Sequence, residues 1–318
     1  MKNTEYTERT PRVSIGLPVY NGSNYIRQAI DSILEQTYRD FEIIICDNAS
    51  TDDTQAICEE YVKRDKRVVY HRNSSNIGAG RNYNLVVEYA RGEFFKWAAH
   101  DDICHPELLE KSVERLDAEP DVVLVYSKAR QIDENTNYGD SYSGSDNTAL
   151  LNPVQRFREL VRPHICFQVF GLMRLDVLKD TPMIGLYARG DEILLCWLGL
   201  RGRFARIDEH LFFPRKHEEQ SMAMLADKKK KKKADLVAYS VWFDPKWRNK
   251  IVLPWWISLR ELIRCVVKAP ISFRDKIGCF GVIMRWVCTR RRSLARDLYN
   301  QMQHFTLAFS SRKQVRHS

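Results

Sequence analysis

Apolar and polar positions switch between two periods along the first 130 residues. Val13–Leu17 is a short apolar run that ends at Pro18, the pattern of a buried strand. After the turn Asn21-Gly22-Ser23, the residues Tyr25, Ile26, Ala29, Ile30, Ile33 and Leu34 recur at helical spacing. Phe41–Cys46 is a β-branched run closed by Asp47-Asn48-Ala49-Ser50, after which Thr51 or Asp52 is placed to cap a helix holding Ile57 and Tyr61. Arg67–His71, Glu93–Ala98 and Val122–Tyr126 read as further strands, Arg81–Ala90 and Pro106 to Ala118 as helices. This β-α-β-α rhythm predicts an α/β fold, a mostly parallel sheet with helices on both faces. Ligands bind such sheets beyond the carboxyl ends of the strands. The polar loops after the first, second and fourth strands should therefore converge on one crevice.

Beyond Asp133 the pattern changes. Residues 134–150 read as a long polar loop or lid, followed by a helix over Pro153–Val161, a strand over Gln168–Arg174 and a helix from Asp191 to Leu200. Another strand follows Gly202, then Phe212 to His217, a low-complexity run Lys228–Lys233 and a helical C-terminal section. The expected organisation is a polar tail (1–11), a catalytic domain (12–221) and a basic, Trp-rich region (222–318).

Charge sharpens that division. Residues 1–227 carry 28 basic and 36 acidic side chains, residues 228–318 carry 22 and 5, so an acidic body precedes a basic tail that suits an anionic partner. No run of about 18 apolar residues occurs, so no spanning helix is expected, and Met1 to Arg12 lacks the apolar core of a secretory signal. The 8 cysteines form no CxxC pair, which speaks against a zinc ribbon or disulfide framework and for reduced, mostly buried thiols. Trp242, Trp247, Trp255, Trp256 and Trp286 are interleaved with Arg and Lys, the composition of amphipathic helices at an anionic membrane surface. The alternatives are a helical cap packed on the catalytic domain or an oligomer interface. No nucleic-acid motif accompanies the basic section, so nucleic acid is not expected as a partner.

Asp101-Asp102 is the most informative pair. Adjacent carboxylates repel unless a cation or hydrogen-bond donors offset them. Mg²⁺ or Mn²⁺ with a nucleotide diphosphate would do so; capping of the helix after Pro106 is the plainer reading. Flanking His100 and His105 raise zinc as a lesser alternative, without a Cys nearby or an HExxH pattern. Gly78-Ala79-Gly80 has Tyr83 where a dinucleotide fingerprint needs its third glycine.

Pro18-Val19-Tyr20-Asn21, Asp47 to Asp52, Asn76-Ile77-Gly78, Arg81-Asn82, Trp97 to Asp102, Gly190-Asp191 and Arg215-Lys216-His217 occur in that order. Together they resemble a family 2 glycosyltransferase of the GT-A fold, a Rossmann-type nucleotide-diphospho-sugar transferase, from about Val13 to Ser221. The resemblance implies that Pro18, Tyr20, Asp47, Arg81 and Asp101 bind the nucleotide sugar. Tyr20 would stack on the base, Asp47 would accept a hydrogen bond from base or ribose, and Arg81 would meet the diphosphate at a helix start. Asp102 and His217 would hold Mg²⁺ or Mn²⁺, and Asp191 would be the general base of an inverting transfer, with Glu192 as a competitor. Each has a plainer alternative: a half-buried tyrosine, a turn-forming Asp47, a surface charge at Arg81, an N-cap at Asp191, a structural His217. Ala99 stands where the family often has a further carboxylate.

The expectation is a hexosyltransferase-type enzyme moving a sugar from a nucleotide-diphosphate sugar to a hydroxyl of a lipid-linked or cell-envelope saccharide. It would be cytoplasmic and peripheral on the inner face of the membrane. A nucleotidyltransferase on a similar scaffold and a non-catalytic nucleotide-sugar-binding protein are the rivals.

Overall fold

The computed structural model describes residues 10–144, 146–218 and 235–314. Its frame is a sheet whose first half is built from β1 (Val13–Val19), β2 (Phe41–Asp47), β3 (Val68–Arg72) and β4 (Phe94–Trp97), parallel in the order β3-β2-β1-β4. The apolar runs of β1 and β2 are buried along their whole length, as expected of strands covered on both faces. The helices α1 (Ile26–Leu34), α2 (Thr54–Arg64) and α3 (Ala79–Tyr89) supply that cover. Gly16 makes one close approach possible: a Cβ there would lie 2.5 Å from a methyl of Val86 on α3. The N-cap position of α2 is Asp53 rather than Thr51 or Asp52, and Asp52 accepts a 3.1 Å hydrogen bond from the N–H of Thr54, the first helical residue.

The second half comprises β5 (Ile103–Cys104), β6 (Val122–Ile132), β7 (Tyr138–Tyr142), β8 (Leu172–Arg174) and β9 (Arg203–Phe213), with α4 (Leu108–Ala118) between β5 and β6. β8 lies antiparallel between β4 and β6, and β9 runs parallel to β6 and antiparallel to β5. Among the described residues six of the nine strands thus share one direction, in keeping with the expected mostly parallel sheet. The helices α5 (Pro153–Leu160), α6 (Leu175–Lys179) and α7 (Gly190–Gly199) pack around this half.

Two segments differ from the reading of the sequence. Residues 134–150 do not form a long loop: β7 pairs antiparallel with β6, and a short 3₁₀ helix spans Asp146–Ala149. Tyr138 anchors the hairpin, under Arg130 and 5.7 Å from the Phe213 ring; such cross-strand contacts hold even a polar strand. The strand foreseen over Gln168–Arg174 starts only at Leu172, because Phe167–Phe170 is a 3₁₀ turn. The Lys96 ammonium donates to the Phe170 carbonyl at the end of this turn.

The C-terminal section forms α8 (Leu236–Phe243), α9 (Pro254–Lys268) and α10 (Phe273–Gln314). α9 and α10 are antiparallel: the Trp255 N–H donates to Asp297, while the Lys276 ammonium donates to the Val267 carbonyl. Their inner faces, with Leu262, Cys265, Val266, Ile283 and Trp286, share one core cluster with Val86, Trp97 and Leu194 to Leu198. The alternative of a helical cap packed on the catalytic domain is thus the observed arrangement. Trp256 alone of the five tail tryptophans is exposed. The run Lys228–Lys233 lies outside the described residues.

A shared core has a measurable consequence. Leu262 is 2% exposed, so Leu262→Ala should cost about 2–5 kcal/mol in chemical denaturation, within a single cooperative transition. A separate early transition would mean that the C-terminal helices fold independently.

Candidate active site

Three loops meet at the carboxyl end of the parallel strands. The Asn21 side chain accepts the Thr51 N–H at 2.8 Å, its own N–H donates to Ser50, and Gly22 N–H donates to Thr54, which laces the loop after β1 to the loop after β2. Strand register sets Asp47 between Val19 and Arg72. Asp47 is fully buried, and its carboxylate accepts the Ser50 N–H at 2.8 Å, the Tyr70 hydroxyl at 2.7 Å and the Arg72 guanidinium at 2.6 Å. The turn-forming contact is thus present; a carboxylate has acceptor positions beyond these. Pro18 is buried within β1 opposite Cys46, and Tyr20 stands at the rim, 46% exposed, its ring available for stacking.

After β4 the chain reaches Asp101-Asp102, and the segment after β9 folds back over it. Asp102 is 8% exposed and accepts the Arg215 N–H at 2.9 Å. Burial, then the charge of Asp101, push the Asp102 carboxyl well above its ordinary value. Burial opposes ionisation of Asp101 too, but a 2.9 Å hydrogen bond with His217 Nε2 and the charges of His100 and His217 hold it below the usual range. The buried Arg215 guanidinium bridges the carbonyls of Asp101 and Asp133 and the Gln28 side chain, over the face of Tyr25. These contacts fix the loop carrying the acidic pair.

Asp191 lies in the first turn of α7, partly buried, and one oxygen accepts the Glu192 N–H at 2.9 Å. Burial and the Glu192 charge raise its carboxyl above the ordinary value. Glu192, the competitor, is paired through one oxygen with the Arg189 guanidinium. Tyr83 on α3 ties the two acidic sets together: burial first, then the charges of Asp101, Asp102 and Asp191, push its phenol up. Arg81, at the start of α3, donates to Asp244, just past α8, at 2.9 Å, so the guanidinium is engaged by a carboxylate of the C-terminal section.

Among the described residues no three His, Cys, Asp or Glu side chains are grouped to hold a metal by themselves. Asp101 and Asp102 instead fit an ion that brings phosphate oxygens with it, since two buried neighbouring carboxylates carry more negative charge than one histidine offsets.

A sequence model described as "Glycosyl transferase family 2" matches residues 14–181, just over half of the chain. The chain belongs to glycosyl transferase family 2. An uncharacterized glycosyltransferase of Rickettsia typhi is 38% identical over 135 residues, covering 42% of this chain and 40% of the relative. The chain spans about half the length of the curated relatives it matches. Among solved structures, S. aureus TarS 1-349 in complex with UDP-GlcNAc has a TM-score of 0.62 at 17% identity, covering 92% of this chain and 81% of that one. The mannosyltransferase PcManGT from Pyrobaculum calidifontis, in complex with GDP-Man and Mn2+, has a TM-score of 0.52 at 16% identity, covering 92% and 85%. The GT-A fold and the hexosyltransferase-type family expected from the motifs agree with these findings.

The family motifs named Arg215 without assigning it a role, and Tyr83, Arg189 and Asp244 were not singled out as site residues at all. Tyr83 stood out only as a missing glycine. The other two act through partners more than 50 residues distant, Trp255 and Arg81, which no local pattern announces.

Because Asp191 has a raised folded-state carboxyl, its ionised form destabilises the fold at neutral pH, and the penalty fades as pH falls through that raised value. Asp191→Asn should therefore unfold at higher denaturant than wild type at neutral pH, with a gain that shrinks in acid. Turnover should fall at least about a hundredfold, the loss of a general base. A folded variant with unchanged turnover would remove Asp191 from the base role.

Proposed function

We propose that the chain transfers a hexose from a nucleotide-diphosphate sugar to a hydroxyl acceptor with inversion, assisted by Mg²⁺ or Mn²⁺. One observation carries the reading: Asp101 and Asp102 stand buried side by side beyond the carboxyl end of β4, with the Arg215 N–H and the His217 ring as the contacts that offset them. In the proposed reaction Asp191 takes the acceptor hydroxyl proton as the new bond to the anomeric carbon forms. The bond from that carbon to the diphosphate breaks with its electron pair on the leaving group. A divalent ion held by Asp102, with His217 within reach through Asp101, would neutralise charge building on the diphosphate. Tyr20 stacks on the base and Pro18 and Asp47 shape the nucleoside pocket, while Asp101 faces the ribose or the sugar. The UDP-GlcNAc and GDP-Man complexes of the structural neighbours, one with Mn2+, support a nucleotide-sugar donor and a metal.

A lipid-linked or cell-envelope saccharide remains the proposed acceptor, met at the cytoplasmic face of a membrane. Among the described residues no helix is long and apolar enough to cross a membrane. The surface instead offers Ile263 and Val267 on α9 and Phe273, Ile277, Phe280 and Met284 on α10, all exposed. Arg260, Arg264, Lys268, Arg274 and Arg285 stand exposed among them, the mixture that suits an anionic interface.

Product analysis tests the reaction: incubation with nucleotide sugars and Mn²⁺ should release a free nucleoside diphosphate. Release of pyrophosphate would make the chain a nucleotidyltransferase instead. A second test concerns Arg81. Asp244→Asn keeps the capping oxygen that accepts the Lys246 N–H but frees the guanidinium, so calorimetry should show tighter nucleoside diphosphate binding, and Arg81→Ala weaker. Equal affinities in all three proteins would place the diphosphate elsewhere.

A further inference from the structure

A cavity lies outside the acidic site, none of whose residues line it. It measures about 370 Å³ and is walled by the β6–β7 hairpin, the end of α5 and the segment His164–Gln168, a size within the range of about 300–1,000 Å³ of small-molecule sites. Its wall combines hydroxyls from Ser127, Ser141 and Thr148 with the rings of Tyr126 and Tyr142. Among the described residues no lysine or arginine lines it, whereas the carboxylate of Glu159 and the ring of His164 do. Hydroxyls and aromatic faces around one carboxylate suit a neutral polyhydroxylated ligand and disfavour a phosphate.

Gln168 supplies the independent observation. It is 3% exposed, lines the cavity, and among the described residues its side-chain carbonyl oxygen has no hydrogen-bond partner. A buried unsatisfied carbonyl destabilises the fold unless a ligand or water donates to it. The cavity wall also reaches the elements around α7. Tyr142 meets Phe167 edge-on at 5.3 Å, and Cys166, two residues before Gln168, packs on the core cluster that holds Ile193 of α7. The 3₁₀ turn Phe167–Phe170, which carries the cavity residues Phe167 and Gln168, also packs against α7, the helix that begins with Gly190-Asp191.

We infer that this cavity is a saccharide-binding subsite that holds a neutral sugar unit of the acceptor next to the unit that is glycosylated, with Gln168 accepting one of its hydroxyls. The placement relative to Asp191 rests on the transferase reading; the saccharide chemistry of the cavity does not.

Hydrogen exchange with a panel of methyl glycosides and the disaccharides chitobiose, cellobiose and lactose, at tens of millimolar, tests it on the full chain. At least one disaccharide should protect the amides of 164–168, and inorganic phosphate should not. Two variants sharpen the result. Gln168→Leu removes the unpartnered oxygen at nearly constant size, so it should raise Tm yet lower the ratio of sugar transfer to donor hydrolysis about tenfold, the worth of one neutral hydrogen bond. Ile165→Trp, at a rim position 52% exposed, should fill the mouth and abolish the protection. A fall in Tm for Gln168→Leu, protection by phosphate, or protection by no sugar overturns the subsite. The two readings fail separately: nucleoside diphosphate release without sugar protection sinks the subsite alone, and protection without release sinks the transferase reading alone.

Discussion

Two neighbouring carboxylates buried at the end of one strand set the terms for the rest of this structure. Asp101 and Asp102 leave β4 where the parallel strands end, beneath a surface that shields them from water. Their repulsion is offset by the Arg215 N–H and the His217 ring, both delivered by chain that runs past β9 and folds back across the sheet. The Arg215 guanidinium is in turn held by backbone carbonyls and Gln28. The site is therefore assembled from opposite ends of the catalytic fold. Even so, Asp102 stays disposed toward protonation, a deficit of positive charge that a metal diphosphate would meet.

The same logic extends to the C-terminal helices. Arg189 adopts a left-handed backbone, φ 71°, immediately before α7. That conformation is costly for a non-glycine residue, and tertiary contacts hold it: the guanidinium pairs with Glu192 and lies over the Trp255 ring at 4.6 Å, with Arg290 over the same ring at 5.1 Å. Ser240 on α8 accepts the Ala188 N–H. The loop that presents Asp191 is thus braced by three helices from the basic section, which explains why those helices bury apolar faces against α7.

Much of this was legible in the sequence because the signals are local. The alternation of β-branched runs with helical spacing between Val13 and Tyr126 gave strand and helix starts within a residue or two of those observed, although β6 runs on to Ile132 and the short β5 was not foreseen, and the order of the polar blocks identified the family. The legibility ended where long-range contacts decide. The polar run after Asp133 carries no apolar alternation, yet it pairs as β7 because Arg130 and Phe213 hold Tyr138. The tail tryptophans read as a membrane belt by composition, whereas Trp286 is buried and Trp247 donates to the Leu186 carbonyl. Composition reports which residues a segment has, not which neighbour covers them.

The central claim is that the acidic pair meets a diphosphate through a divalent ion. Calorimetric titration of UDP and GDP into wild type and Asp102→Asn, with and without Mn²⁺, tests it most directly. Mn²⁺ should tighten binding of one nucleotide to wild type and have little effect on the variant. Equal affinity with and without Mn²⁺ in wild type, or the same gain in Asp102→Asn, would contradict the account.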